Sequence, residues 1–134
     1  MLYALLCYND EKVVWSWDKA QEDKVMAQLG EVRGRLERAG KLGPSLRLMP
    51  TTAATTLRKT DPPLIIDGPF AETKEQLLGI YILDVADLDE ALEVAKDLGA
   101  ANPGGSYEVR PLALYNPGSA RATAPEAATA PAGA

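Results

Sequence analysis

The sequence predicts an α+β fold, a ferredoxin-like split βαβ arrangement with an inserted β-hairpin. Two observations predict it. Amphipathic helical stripes alternate with short apolar runs in the order β-α-β-(β-hairpin)-β-α-β, and the runs at 2–8 and 77–85 are apolar on both alternating faces. With 134 residues the chain is long enough to bury the core of one domain.

Leu2–Tyr8 is short, apolar on both faces and ends at the turn-forming pair Asn9-Asp10, so it reads as a central strand. Ser16 or Asp18 offers an N-cap for the helix that follows. Val25, Leu29, Val32, Leu36 and Ala39 then form one apolar stripe, and Gly40 stands where a left-handed C-terminal cap belongs. Trp15 and Trp17 flank the helix start and are expected to staple it. Gly30 and Gly34 interrupt the helix at about 1 kcal/mol each relative to Ala, which suggests close approach of another element. Leu46–Met49, Ala54–Arg58 and Leu64–Asp67 are extended pieces, with Asp61-Pro62-Pro63 turning the chain between the last two. Leu77–Val85 is a second central strand. Asp87 opens a second helix with Glu90 three positions on, a stripe of Leu88, Ala91, Leu92, Ala95 and Leu98, and Gly99 as its stop. Ser106–Leu114 is the last strand, and Pro111 puts it at an edge or a bulge. Two helices cover one face of a sheet, yet the strands are apolar on two. Self-association as a symmetric dimer is the economical way to bury the other face.

Composition narrows the chemistry. The chain has no histidine and one cysteine. That excludes a Ser-His-Asp or Cys-His pair, imidazole metal ligands and an intrachain disulfide. No cofactor or metal is expected: dinucleotide, phosphate-loop, calcium and zinc patterns are absent from the sequence. A formal net charge of −5 argues against a nucleic-acid surface. No basic residue precedes the first apolar run and no window suits a membrane span, so a cytoplasmic location is expected. Residues 117–134 are nearly all Ala, Pro, Thr and Gly and are expected to be a disordered tail behind a body of residues 1–116.

Between two strands stands Asp67-Gly68-Pro69-Phe70-Ala71-Glu72-Thr73-Lys74-Glu75-Gln76-Leu77. This string, continued as LGIYIL, resembles the signature of the DGPF, or YCII-related, domain family, as do Asp89-Glu90-Ala91-Leu92 and Tyr107-Glu108-Val109-Arg110-Pro111. The resemblance spans about residues 2–114 and implies a dimeric α+β barrel built from ferredoxin-like protomers. Many bacterial members resemble companions of extracytoplasmic-function sigma factors, which makes a sigma factor a candidate partner. The YCII branch has a proposed His-Asp catalytic pair. Without histidine, this chain cannot carry that pair over.

The candidate catalytic residues are Asp67, Glu72 and Lys74; the candidate ligand-binding residues are Tyr81, Arg110 and Phe70. Asp67-Gly68-Pro69 reads as a turn, or with Asp67 as a base or ligand-orienting acceptor at the mouth of the barrel. Glu72 and Lys74 read as solvated charges, or as a proton carrier and an anion partner. Tyr81 shares an alternating face with Gly79 and Leu83, where the glycine leaves room for packing or for a ligand. Arg110 is read as clamping a carboxylate or as pairing with an acidic neighbour across the dimer. Cys7 reads as a small buried hydrophobe. Two functions compete: a homodimeric binder of a small organic ligand, either an enzyme or not, and a non-catalytic regulatory module beside a sigma factor.

Overall fold

The computed structural model describes residues 1–120. In chain order these form β1 (Leu2–Asn9), α1 (Glu11–Val14), α2 (Lys19–Arg38), β2 (Leu42–Arg47), a 3-10 turn at Thr51–Ala53, β3 (Thr55–Arg58), β4 (Leu64–Asp67), β5 (Gln76–Asp84), α3 (Leu88–Ala101) and β6 (Ser106–Pro111). Most of the segment expected to be a disordered tail lies outside the described residues.

The main sheet has the order β2-β5-β1-β6, antiparallel at every pairing. Each βαβ unit therefore leaves a one-strand gap that the other unit fills, which is the ferredoxin-like arrangement read from the sequence. β3 and β4 pair separately as the inserted hairpin.

Both long helices pack on one face of the sheet. β1 sends Tyr3, Leu5 and Cys7 into that layer, β5 sends Tyr81 and Leu83, and α2 contributes Val25, Leu29, Val32 and Leu36. Residues on the opposite face are less covered. Leu6, Ile80 and Ile82 are half-buried there, and Leu46 opposite Ile80 is 50% exposed.

Caps fix the helix ends. Asp18 accepts from Gln21 N at 2.8 Å, and Asp87 accepts from Glu90 N at 2.9 Å. At the end of α2, Gly40 adopts φ 70° while its N–H reaches Glu37 O and that of Lys41 reaches Leu36 O. That pair of bonds is a Schellman closure, and it needs the left-handed residue glycine supplies.

Several expectations need correction. The second strand begins at Leu42, well before Leu46, and runs into an irregular pairing with β5. The last strand ends at Pro111 rather than Leu114. α3 continues through Gly99 to Ala101, and the chain turns instead at Gly104 and Gly105, both at positive φ. Leu88 and Leu92 of its expected stripe are exposed, while Val94 and Ala101 are buried. Ala39 lies outside α2 as its C-cap. Gly30 meets nothing within 4 Å of a built Cβ, and Gly34 meets only the Arg38 side chain, so neither marks a close approach. Trp17 does pack against the core.

Candidate functional site

Four segments distant in sequence converge at one end of the sheet. The end of β1 brings Tyr8, the chain after β2 brings Leu48 to Thr51, the position before β3 brings Ala54, and the turn after β4 brings Pro69 and Phe70. With Leu77, Gln76, Glu75 and Thr73 they enclose an open cavity of about 570 Å³, predominantly apolar. That volume lies in the range of small-molecule pockets.

Each wall is held in place by the local sequence. Asp10 caps α1 by accepting from Lys12 N at 3.0 Å, which sets Glu11 at the first turn. Glu11 then accepts from Thr51 N at 3.0 Å and also from the Thr51 hydroxyl, tying the loop after β2 to α1. Gln76 receives the Glu11 N–H at 3.0 Å and donates to Thr73 O at 2.6 Å, joining a third segment. Beneath them, Gly68 donates to Ala54 O at 2.8 Å, and Thr56 Oγ1 donates to Gly68 O at 2.8 Å. Gly68 has φ 118°, a conformation side chains avoid, so the motif glycine shapes the turn that presents Pro69 and Phe70. The Arg58 guanidinium lies 5.7 Å from the Phe70 ring centroid, a cation–π contact at the rim.

Tyr8 supplies the polar wall. Its hydroxyl donates to Glu108 Oε1 at 3.3 Å, and Glu108 Oε2 receives Arg110 Nε at 3.1 Å as well as Nη2. The hydrogen bond from Arg110 holds the Glu108 carboxyl below its ordinary range. Desolvation, and then the Glu108 carboxylate, push the Tyr8 phenol up, so it is a proton donor at neutral pH.

The candidate residues do not form one cluster. Phe70 lines the cavity and is 76% exposed. Arg110 reaches it only through Glu108 and Tyr8. Asp67, Glu72 and Lys74 are exposed and are not among the lining residues. Tyr81 is buried on the helix-covered face, opposite to the face that carries Tyr8, Glu108 and Arg110. A pocket between helix-free faces therefore does not include it. Tyr8, Thr51 and Gln76 were not singled out by sequence reading. Alternation along β1 does place Tyr8 with Leu6 and against Cys7, and that was the available signal.

The family model described as YCII-related domain matches residues 1–116. An uncharacterised protein of Rhizobium meliloti (strain 1021) is 61% identical over 120 residues, which is 88% of this chain and 97% of that protein. Among the described residues, no helix is long and apolar enough to cross a membrane. The family match takes in the motif turn, the cavity and every strand of the sheet, and on that ground the chain belongs to the YCII-related domain family.

Proposed function

We propose that this chain is a homodimeric binding protein for a small, largely apolar organic molecule seated against Tyr8, Thr51 and Phe70. The observation that carries the reading is the cavity, whose apolar walls are interrupted by a few polar groups. Apolar surface supplies affinity at about 25 cal/mol per Å² removed from water. The Tyr8 hydroxyl, oriented by Glu108, and the Glu75 carboxylate would orient a hydrogen-bonding substituent. The reading assigns binding and no reaction.

The dimer draws on surface that one chain leaves open. Leu57, Leu64 and Ile65 of the hairpin are 57%, 52% and 70% exposed. Apolar surface of that kind, grouped on one hairpin, suits a self-complementary interface. The same hairpin would serve a regulatory module docking on a sigma factor, and a chain that stays monomeric would favour that second reading.

A thermal-shift screen of neutral aromatic and alicyclic compounds tests the pocket. Compounds that stabilise the wild type should lose their effect in Phe70→Ala and Tyr8→Phe and keep it in Asp67→Asn. Hits unaffected by both cavity variants would overturn the site. Sedimentation at micromolar concentration should show a dimer that Ile65→Asp dissociates; a monomeric wild type would refute the oligomer.

A further inference from the structure

The polar groups of the apolar cavity are of one chemical kind. Four lining side chains, Tyr8, Thr51, Thr73 and Gln76, carry a hydrogen-bond donor, and each already donates within the protein. Tyr8 Oη donates to Glu108 Oε1 at 3.3 Å, and Thr51 Oγ1 donates to Glu11 Oε1. Thr73 Oγ1 donates to Glu75 O, and Gln76 Nε2 donates to Thr73 O at 2.6 Å. A hydroxyl oxygen that has given its proton to one partner keeps lone pairs for another donor.

Glu75 is the one charged side chain in the lining, and its carboxylate has no hydrogen bond or ion pair among the described residues. It is exposed, so it stands where the cavity opens to water. No lysine or arginine lines the cavity. Arg58 lies against the Phe70 ring, and Arg110 is bonded to Glu108 through Nε and Nη2. Lys74 adjoins Glu75 in sequence but is outside the lining. The net charge of −5 adds a field that attracts cations and repels anions.

We propose that the ligand of this cavity is a protonated amine with an aromatic or alicyclic body, its ammonium group held by the Glu75 carboxylate and its body lying against Leu48, Phe70 and Leu77. This assignment rests on the pocket reading above and names the class of ligand. An ammonium group has donors and no acceptor, which complements a carboxylate and hydroxyl oxygens already committed as donors. At the opening it keeps part of its hydration, so the cost of burying a charge stays small while the body leaves water. A carboxylate on the same body would meet Glu75 with no lining cation to balance it.

Titration of the full chain at neutral pH and low ionic strength, followed by amide NMR shifts, compares phenethylamine, phenethyl alcohol and hydrocinnamate. The amine should bind at least about fivefold more tightly than the alcohol, reflecting the greater strength of a charged hydrogen bond, and the acid should bind most weakly. Glu75→Gln should bring the amine down to the affinity of the alcohol and leave the alcohol unchanged. Glu72→Gln removes the same charge from an exposed residue outside the lining and should preserve the preference. Phe70→Ala should weaken amine and alcohol alike. Equal binding of amine and alcohol, both weakened in Phe70→Ala, would overturn the amine assignment and leave the pocket standing. A preference that survives Glu75→Gln, or that Glu72→Gln also removes, would overturn the role of Glu75. Binding of none of the three, or binding indifferent to Phe70→Ala, would overturn the pocket and the amine together.

Discussion

Glu11 grips Thr51 from two directions: one carboxylate oxygen takes the backbone N–H at 3.0 Å and the other takes the side-chain hydroxyl. The contact spans forty positions of sequence and fastens the loop that walls the cavity to the first turn of a very short helix. A helix of four residues has little stability of its own. The clasp and the Gln76 bond therefore hold α1 and the loop together as a unit.

Glu11→Ala should destabilise the chain by about 1–3 kcal/mol, the usual cost of losing charged hydrogen bonds and leaving their donors unmet. Urea unfolding measures the loss. Amide exchange at Thr51 should quicken at least tenfold while Leu5 and Leu83, fully buried in the core, stay protected. Glu11→Gln keeps one acceptor and should lose less. Unchanged exchange at Thr51 in Glu11→Ala would show that the loop is held by other contacts.

Glycines at two positions should respond to alanine with opposite signs. Gly30 lies exposed within α2, and a Cβ there meets nothing within 4 Å. Gly30→Ala should therefore stabilise the chain by about 0.5–1 kcal/mol through helix propensity. Gly105 has φ +75°, and its added Cβ would lie 2.1 Å from Tyr8 O and 2.9 Å from Asn9 Cβ. Gly105→Ala should cost at least about 2 kcal/mol through strain and displacement of the end of β1. Thermal unfolding of both variants against wild type reads the two signs directly.

The helix stripe of α2 was legible because Val25, Leu29, Val32 and Leu36 repeat with helical spacing against a polar background. The strand faces were legible only as alternation. Tyr81 and Leu83 share one face of β5, Ile80 and Ile82 the other, and both pairs are apolar. Nothing in that pattern says which face the helices cover, so Tyr81 could be grouped with its neighbours but not assigned to an open pocket. The string at Asp67–Leu77 pointed to the right turn, since Gly68 shapes it and Phe70 extends into the cavity. The cavity itself depends on Tyr8, Thr51 and Phe70 meeting across long stretches of chain, and local periodicity carries no information about such meetings. α1 escaped for a simpler reason: its four residues are too few to show a helical period.

The one cysteine links the core to pH. Cys7 is fully buried beneath the helices, and burial pushes its thiol from 9.0 up to about 12. In the unfolded chain the thiol loses its proton near its ordinary value, whereas in the folded chain it keeps it. Above pH 9 the folded state thus binds more protons than the unfolded state, and stability falls as pH rises until the folded thiol also ionises near 12. The slope approaches about 1.4 kcal/mol per pH unit from this group at its steepest. Burial raises Tyr81 and Tyr107 as well, and they add to the fall where unfolded tyrosines ionise, around pH 10 and beyond. Urea unfolding between pH 8 and 10 should show a declining midpoint, with a shallower decline in Cys7→Ala even though that variant starts less stable. The native thiol should also react with a disulfide reagent at least a hundredfold more slowly than in urea at pH 8, because the thiolate is both scarce and inaccessible. A pH slope that Cys7→Ala leaves unaltered would show that other groups govern the alkaline loss.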